Sequence, residues 1–140
     1  MLAAGEHVRA PRIYRGRDIK WWMDAMGAMD LRYDAIEDIE RARRLPSLQL
    51  IGTPGRENID LNSLRKAGVE IVGRVAGMRN GKLQFSASLP NHCALADLKM
   101  NRLLTSIDAW IRATEQQDRF PASHRFEPTE IDYKPDSDSI

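Results

Sequence analysis

The chain has 140 residues, 42% hydrophobic and 29% charged, a globular mix long enough to bury ~68% of its extended-chain surface without metal or disulfide support. Twenty-one Lys and Arg face twenty Asp and Glu, and the net charge of +1 excludes a strongly basic nucleic-acid binder and an acidic, solvating disordered chain. Cys93 is the only cysteine, which excludes an internal disulfide framework and a Cys-rich zinc site.

The first residues, Met-Leu-Ala-Ala-Gly-Glu, show neither a basic n-region nor a long apolar h-region. No window approaches the ~18 apolar residues of a membrane span. A cytoplasmic protein is expected. Between residues 6 and 20 five positive side chains (Arg9, Arg12, Arg15, Arg17, Lys20) outnumber two negative ones (Glu6, Asp18). Residues 115–140 reverse the balance, with seven acids against three bases. That end is poor in apolar residues and carries an Asp-Ser-Asp-Ser run, so residues 119–140 read as a mobile acidic tail.

Asp18 is placed to cap a helix whose apolar residues Ile19, Trp22, Met23 and Met26 recur at i, i+3, i+4 and i+7. Gly27 supplies its stop. A second helix is expected over 32–43, with Ile36 and Ile39 inward and Pro46 ending it. Residues 48–51 read as a short strand and 52–55, Gly-Thr-Pro-Gly, as a turn. Asp60 is a good cap for a helix over 61–67, with Ile59 and Leu64 forming a hydrophobic staple and Gly68 the stop. A strand over 69–72 follows, and the strand–helix–strand order predicts a parallel crossover from 48–51.

Asn80-Gly81 is the favoured pair for a type I′ turn, and Val75, Met78, Leu83 and Phe85 flank it, which predicts a β-hairpin. The longest helix is expected over 92–117, capped by Asn91. Cys93, Ala96, Met100, Leu103, Ile107 and Ile111 form its apolar stripe, and Asp97, Lys99, Arg102, Asp108 and Arg112 its solvated side. Helices and strands alternate, so the expected class is α/β.

Four arginines between residues 9 and 17, in a loop before a helix, match what a phosphate requires, because guanidinium groups meet its oxygens bidentately. The alternative is a solvated basic loop. Trp21 and Trp22 point about 100° apart on a helix, so Trp22 takes the core and Trp21 a half-buried place, a subunit contact or a planar ligand. Cys93 lies on an apolar stripe and reads as a buried, inert thiol rather than a nucleophile. His7, His92 and His124 lack ligand-like spacing, and no metal site is expected. Neither a G-x-G-x-x-G motif nor a P-loop occurs, so a pyrophosphate has no glycine-rich cradle in this chain.

Several stretches together resemble one family. They are Ala4-Gly5-Glu6-His7-Val8-Arg9, Pro11-Arg12-Ile13-Tyr14-Arg15-Gly16-Arg17-Asp18-Ile19, Trp21-Trp22-Met23-Asp24-Ala25, Arg44-Leu45-Pro46-Ser47, Leu50-Ile51-Gly52-Thr53-Pro54, Leu95-Ala96-Asp97-Leu98-Lys99 and Arg102-Leu103-Leu104. They are similar to the FAD- and NAD(P)-binding oxidoreductases related to flavin-containing monooxygenases, some of which are labelled flavoproteins involved in potassium transport. The likeness runs over residues 1–118. It implies a partial Rossmann-like fold, with 1–47 belonging to an NADPH-binding domain and 48–118 to an FAD-binding domain. It also implies that His7, Arg9, Arg12 and Arg15 meet the 2′-phosphate of NADPH.

The family's two glycine-rich motifs and its closing alanine-threonine-glycine turn have no counterpart here. The expectation is an inner segment of a longer flavoprotein, inactive alone, that needs a complementing chain or associates with itself. The competing expectation is a non-catalytic module that binds a phosphorylated ligand or a protein through the basic loop 9–17. Nucleic acid is not an expected partner, given the overall charge and the acidic end.

Overall fold

The computed structural model describes residues 1–50 and 52–131. It is a mixed α/β arrangement of three two-stranded sheets and one long helix. Strand β1 (Leu2–Ala4) pairs in parallel with β4 (Ile71–Gly73), Leu2 opposite Ile71 and Ala4 opposite Gly73. Between them lie β2 (Ile13–Tyr14), β3 (Arg17–Asp18), α1 (Ile19–Ala25), α2 (Ile39–Arg43) and α3 (Leu61–Lys66). Strands β5 (Val75–Arg79) and β6 (Lys82–Phe85) form the hairpin around Asn80-Gly81, and α4 (Leu89–Ala113) follows. Both turn residues have positive φ, 52° and 76°, as the type I′ preference requires.

Local caps explain the helix starts. The Asp18 carboxylate accepts from the Lys20 N–H at 3.0 Å. Asp60 and Ser63 form a reciprocal capping box on α3, with 2.8 and 3.0 Å bonds. Helix α4 begins at Leu89 rather than His92, and Asn91 is not its cap, because Pro90 fits the first turn, where no amide donor is missed. Its buried stripe is Leu89, Cys93, Ala96, Met100, Leu104, Ile107, Asp108 and Ile111. Leu104 thus takes the place expected of Leu103, and Asp108, expected on the solvated side, is buried.

Other expectations are corrected. The helix over 32–43 is a 3-10 turn at Tyr33–Ala35 followed by the short α2, and Ile39 is exposed. The strand over 48–51 reduces to one parallel bridge between Leu48 and Val8; Ile51 lies outside the described residues. The parallel partner of β4 is therefore β1. A short hairpin also joins β2 to β3, its turn made by Arg15 (φ 45°) and Gly16 (φ 76°) within the segment read as a loop.

The main core brings Ala10, Tyr14, Ile19 and Trp22 against Met100, Leu104, Ile107 and Ile111, with Leu48 and Leu50 beside them. It draws on residues either side of position 47, so that division does not separate two cores. Trp22 is fully buried and donates from Nε1 to the Tyr14 carbonyl at 2.7 Å. Trp21 is 39% exposed and packs edge-on against Trp22. Residues 120–131 are no free tail. Phe120 and Phe126 pack on the main core, and Ile131 packs on the cluster of Leu61, Leu89 and Cys93. Residues 132–140 lie outside the described residues.

Gly73 has no space for a side chain, since a Cβ there would overlap the Ser86 carbonyl oxygen where the chain returns from β6 toward α4. Gly73→Ala should destabilise the protein by about 2 kcal/mol or more, through backbone that must move. A urea melt in which Gly73→Ala matches the parent would refute this contact.

Candidate functional site

Two polar nodes form where the loop after β1 crosses α4. Arg9 is buried and makes four side-chain donations. Nε and Nη2 bond Asp60 Oδ2 at 3.2 and 2.9 Å, and Nη1 bonds Asp97 Oδ1 at 2.7 Å and the Glu127 carbonyl at 2.8 Å. Asp97 also accepts from the Thr129 N–H at 2.6 Å and hydroxyl at 2.9 Å. Buried Asn62 donates to the Pro128 carbonyl and accepts from the Glu130 N–H, at 2.8 and 2.9 Å.

The second node is the buried carboxylate of Asp108. It accepts from the Tyr14 hydroxyl at 3.0 Å, and from Arg15 Nη1 and Arg125 Nη1 at 3.1 Å each. Arg15 Nε donates to the Pro121 carbonyl at 2.6 Å. Burial raises the Tyr14 phenol above its ordinary value, and the hydrogen bond to Asp108 and its negative charge raise it further.

The arginines of the basic loop are thus not one cationic surface. Arg9 and Arg15 lie inside, committed to carboxylates and carbonyls. Arg12 is half-buried, pairs with Asp18 at 2.7 Å and is held through its backbone N–H by Asn58. Arg17 stacks over the exposed Trp21 ring at 5.1 Å. A module presenting all four guanidinium groups to a partner does not describe this loop.

His7 stands apart. It is buried, and its Nδ1 donates to the Gly5 carbonyl at 2.9 Å, so in the neutral ring Nε2 is an acceptor. His7 lines a cleft of about 460 Å³ that runs along β1 and past its carboxyl end. Leu2, Leu48, Leu61 and Leu64 give it apolar walls, and Glu6 and Asp60 add carboxylates. Its volume suits a small molecule, and the end of a parallel strand is where open α/β sheets take their ligands. Among the described residues no three His, Cys, Asp or Glu side chains group to hold a metal ion, and no helix is long and apolar enough to cross a membrane.

Sequence reasoning missed Asp60 and Asp97 as partners of Arg9, and Asp108 as a buried acceptor. For Asp108 a signal existed, because it stands four residues after Leu104 and three before Ile111, on the buried stripe. Nothing local linked Arg9 to Asp60 and Asp97. Comparison with protein-family models, curated proteins and solved structures finds no match for this chain.

Cys93 is buried, and its thiol is pushed up to about 11 by burial, with Asp97 adding and Arg9 opposing. Above pH 9 the unfolded chain ionises this thiol while the folded chain keeps it neutral. Stability should therefore fall as pH rises from 9 to about 11. Cys93→Ala should flatten that fall in urea melts, and an unchanged slope would remove the assignment. Arg9→Met should cost about 3 kcal/mol or more, because it leaves two carboxylates without their cation. Adding Asp97→Asn should recover part of that loss, and simple additivity of the two changes would count against a coupled node.

Proposed function

We propose that the chain forms part of the nucleotide-binding side of an FAD- and NADPH-dependent, monooxygenase-like oxidoreductase. Its fold is then a partial Rossmann-like unit working in the cytoplasm. The observation that carries this reading is the cleft along parallel strand β1 and past its carboxyl end. The multi-segment resemblance of residues 1–118 supports it. Arg9 and Arg15 are committed to carboxylates and carbonyls, and of the nominated set His7 is the residue that lines the cleft. The apolar walls take the adenine, and His7 Nε2 and Glu6 accept from ribose hydroxyls. Arg12, held by Asn58 and paired with Asp18 outside the cleft lining, exchanges that carboxylate for the 2′-phosphate when the nucleotide binds.

In the whole enzyme the nicotinamide passes hydride to the flavin, and this chain contributes binding and orientation. Alone it does not turn over, because neither glycine-rich turn is present. β1 has one sheet neighbour among the described residues. Its register sends the Ala3 N–H and C=O to the opposite edge, since the Leu2 N–H bonds the Glu70 carbonyl at 2.7 Å. A complementing chain, or a second copy, supplies a strand there.

Titration of the purified chain with NADPH and NADH, followed by calorimetry, tests this reading. Weak, saturable binding that favours NADPH is expected, weak because no glycine-rich cradle holds the pyrophosphate, and reduced at least roughly fivefold by His7→Ala and by Arg12→Ala, the loss of one hydrogen bond or ion pair each. Binding that ignores both substitutions, or that unrelated polyanions match, would overturn it.

A further inference from the structure

The hairpin of β5 and β6 has one apolar face that the described protein leaves exposed at Val75, Met78 and Leu83 and covers in part at Phe85. Opposed residues of an antiparallel pair share a face, and successive residues alternate. Met78 opposes Leu83, and Val75 opposes Phe85. Arg79 opposes Lys82, and Gly77 opposes Gln84, on the other face. The bulge between Val75 and Gly77 inserts Ala76. Without it, Val75 would share the face of Gly77 and Arg79; with it, Val75 joins Met78, Leu83 and Phe85.

The result is an amphipathic ribbon. Val75, Met78 and Leu83 are 47%, 73% and 43% exposed. Residues 74–85 carry Arg74, Arg79 and Lys82 and no acid. Three exposed side chains cover far less than the ~1,000 Å² that a stable protein interface buries. A bilayer interface needs no matched shape, and it takes elements with an apolar face below and long basic side chains above that reach the headgroups. Arg74 and Arg79 add affinity for a surface of opposite charge, roughly fivefold each.

We propose that the apolar face of this hairpin docks on an anionic lipid surface, with Met78 and Leu83 entering the interface and Arg74 and Arg79 meeting lipid phosphates. This stands independently of the nucleotide reading. It is tested by sedimenting the purified chain with vesicles of phosphatidylcholine, and of phosphatidylcholine mixed with phosphatidylserine, at low and at physiological salt.

Binding is expected to the mixed vesicles only and to weaken with salt. Arg74→Glu/Arg79→Glu should reduce it at least tenfold, and so should Met78→Ser/Leu83→Ser, which changes no charge. All four positions are exposed, so thermal melts of these variants should match the parent. Absence of binding to mixed vesicles, or undiminished binding by either variant, would overturn the proposal. So would a concentration-dependent dimer that Met78→Ser/Leu83→Ser dissolves while vesicles are ignored, since the face would then belong to a second copy.

Discussion

The guanidinium of Arg9 is the constraint around which the chain is organised. A buried cation must be paired, and it must fill its donors, or the arrangement fails by several kcal/mol. Arg9 is paired and uses four of its five donors by drawing on three distant segments. Asp60 starts α3, Asp97 sits about a third of the way along α4, and Glu127 lends a carbonyl from the final described stretch. Each partner is itself held, Asp60 by its own capping box and Asp97 by Thr129 from the final described stretch. The loop leaving β1 is therefore positioned by charge as much as by apolar contact.

The two polar nodes are mirror images in charge. One arginine meets two carboxylates at the first; one carboxylate meets two arginines at the second. Asp97 and Asp108 are eleven residues apart, close to three helical turns, which places both on one side of α4 about 16 Å from each other. Each node also clamps residues 120–131, the first through Glu127 and Thr129, the second through Pro121 and Arg125. A segment with few apolar residues is thus ordered by hydrogen bonds to buried groups. Composition alone marks such a segment as a tail, because composition counts apolar burial and not polar anchorage.

This division of labour shapes the functional reading. The arginines that look like ligand contacts in the sequence hold the body together, and the surfaces left over are the cleft beside His7 and the apolar face of the β5–β6 hairpin. The cleft offers mainly acceptors, from His7 and the carboxylate of Glu6, since the Asp60 carboxylate is taken by Arg9 and the Ser63 N–H. Such a lining favours a donor-bearing ligand such as a ribose over a bare phosphate. That is why Arg12, and not the buried pair, carries the phosphate contact in the proposed function.

The sequence by itself determined what local rules control. Asn80-Gly81 set a hairpin because both residues accept positive φ. Asp18 and Asp60 set helix starts through their own carboxylates. The spacing of Cys93, Ala96, Met100, Ile107 and Ile111 marked the inner side of α4, and Trp22 was legible as core. Only the tertiary structure decided which acid each arginine meets, that β1 rather than residues 48–51 lies beside β4, and that residues 120–131 fold back. The reason is range. Caps, turns and helical periodicity act within about four residues, whereas Arg9 reaches Asp60 and Asp97 across 51 and 88 positions, and Arg15 reaches Asp108 across 93. Charges so far apart become partners only after packing has removed the water between them.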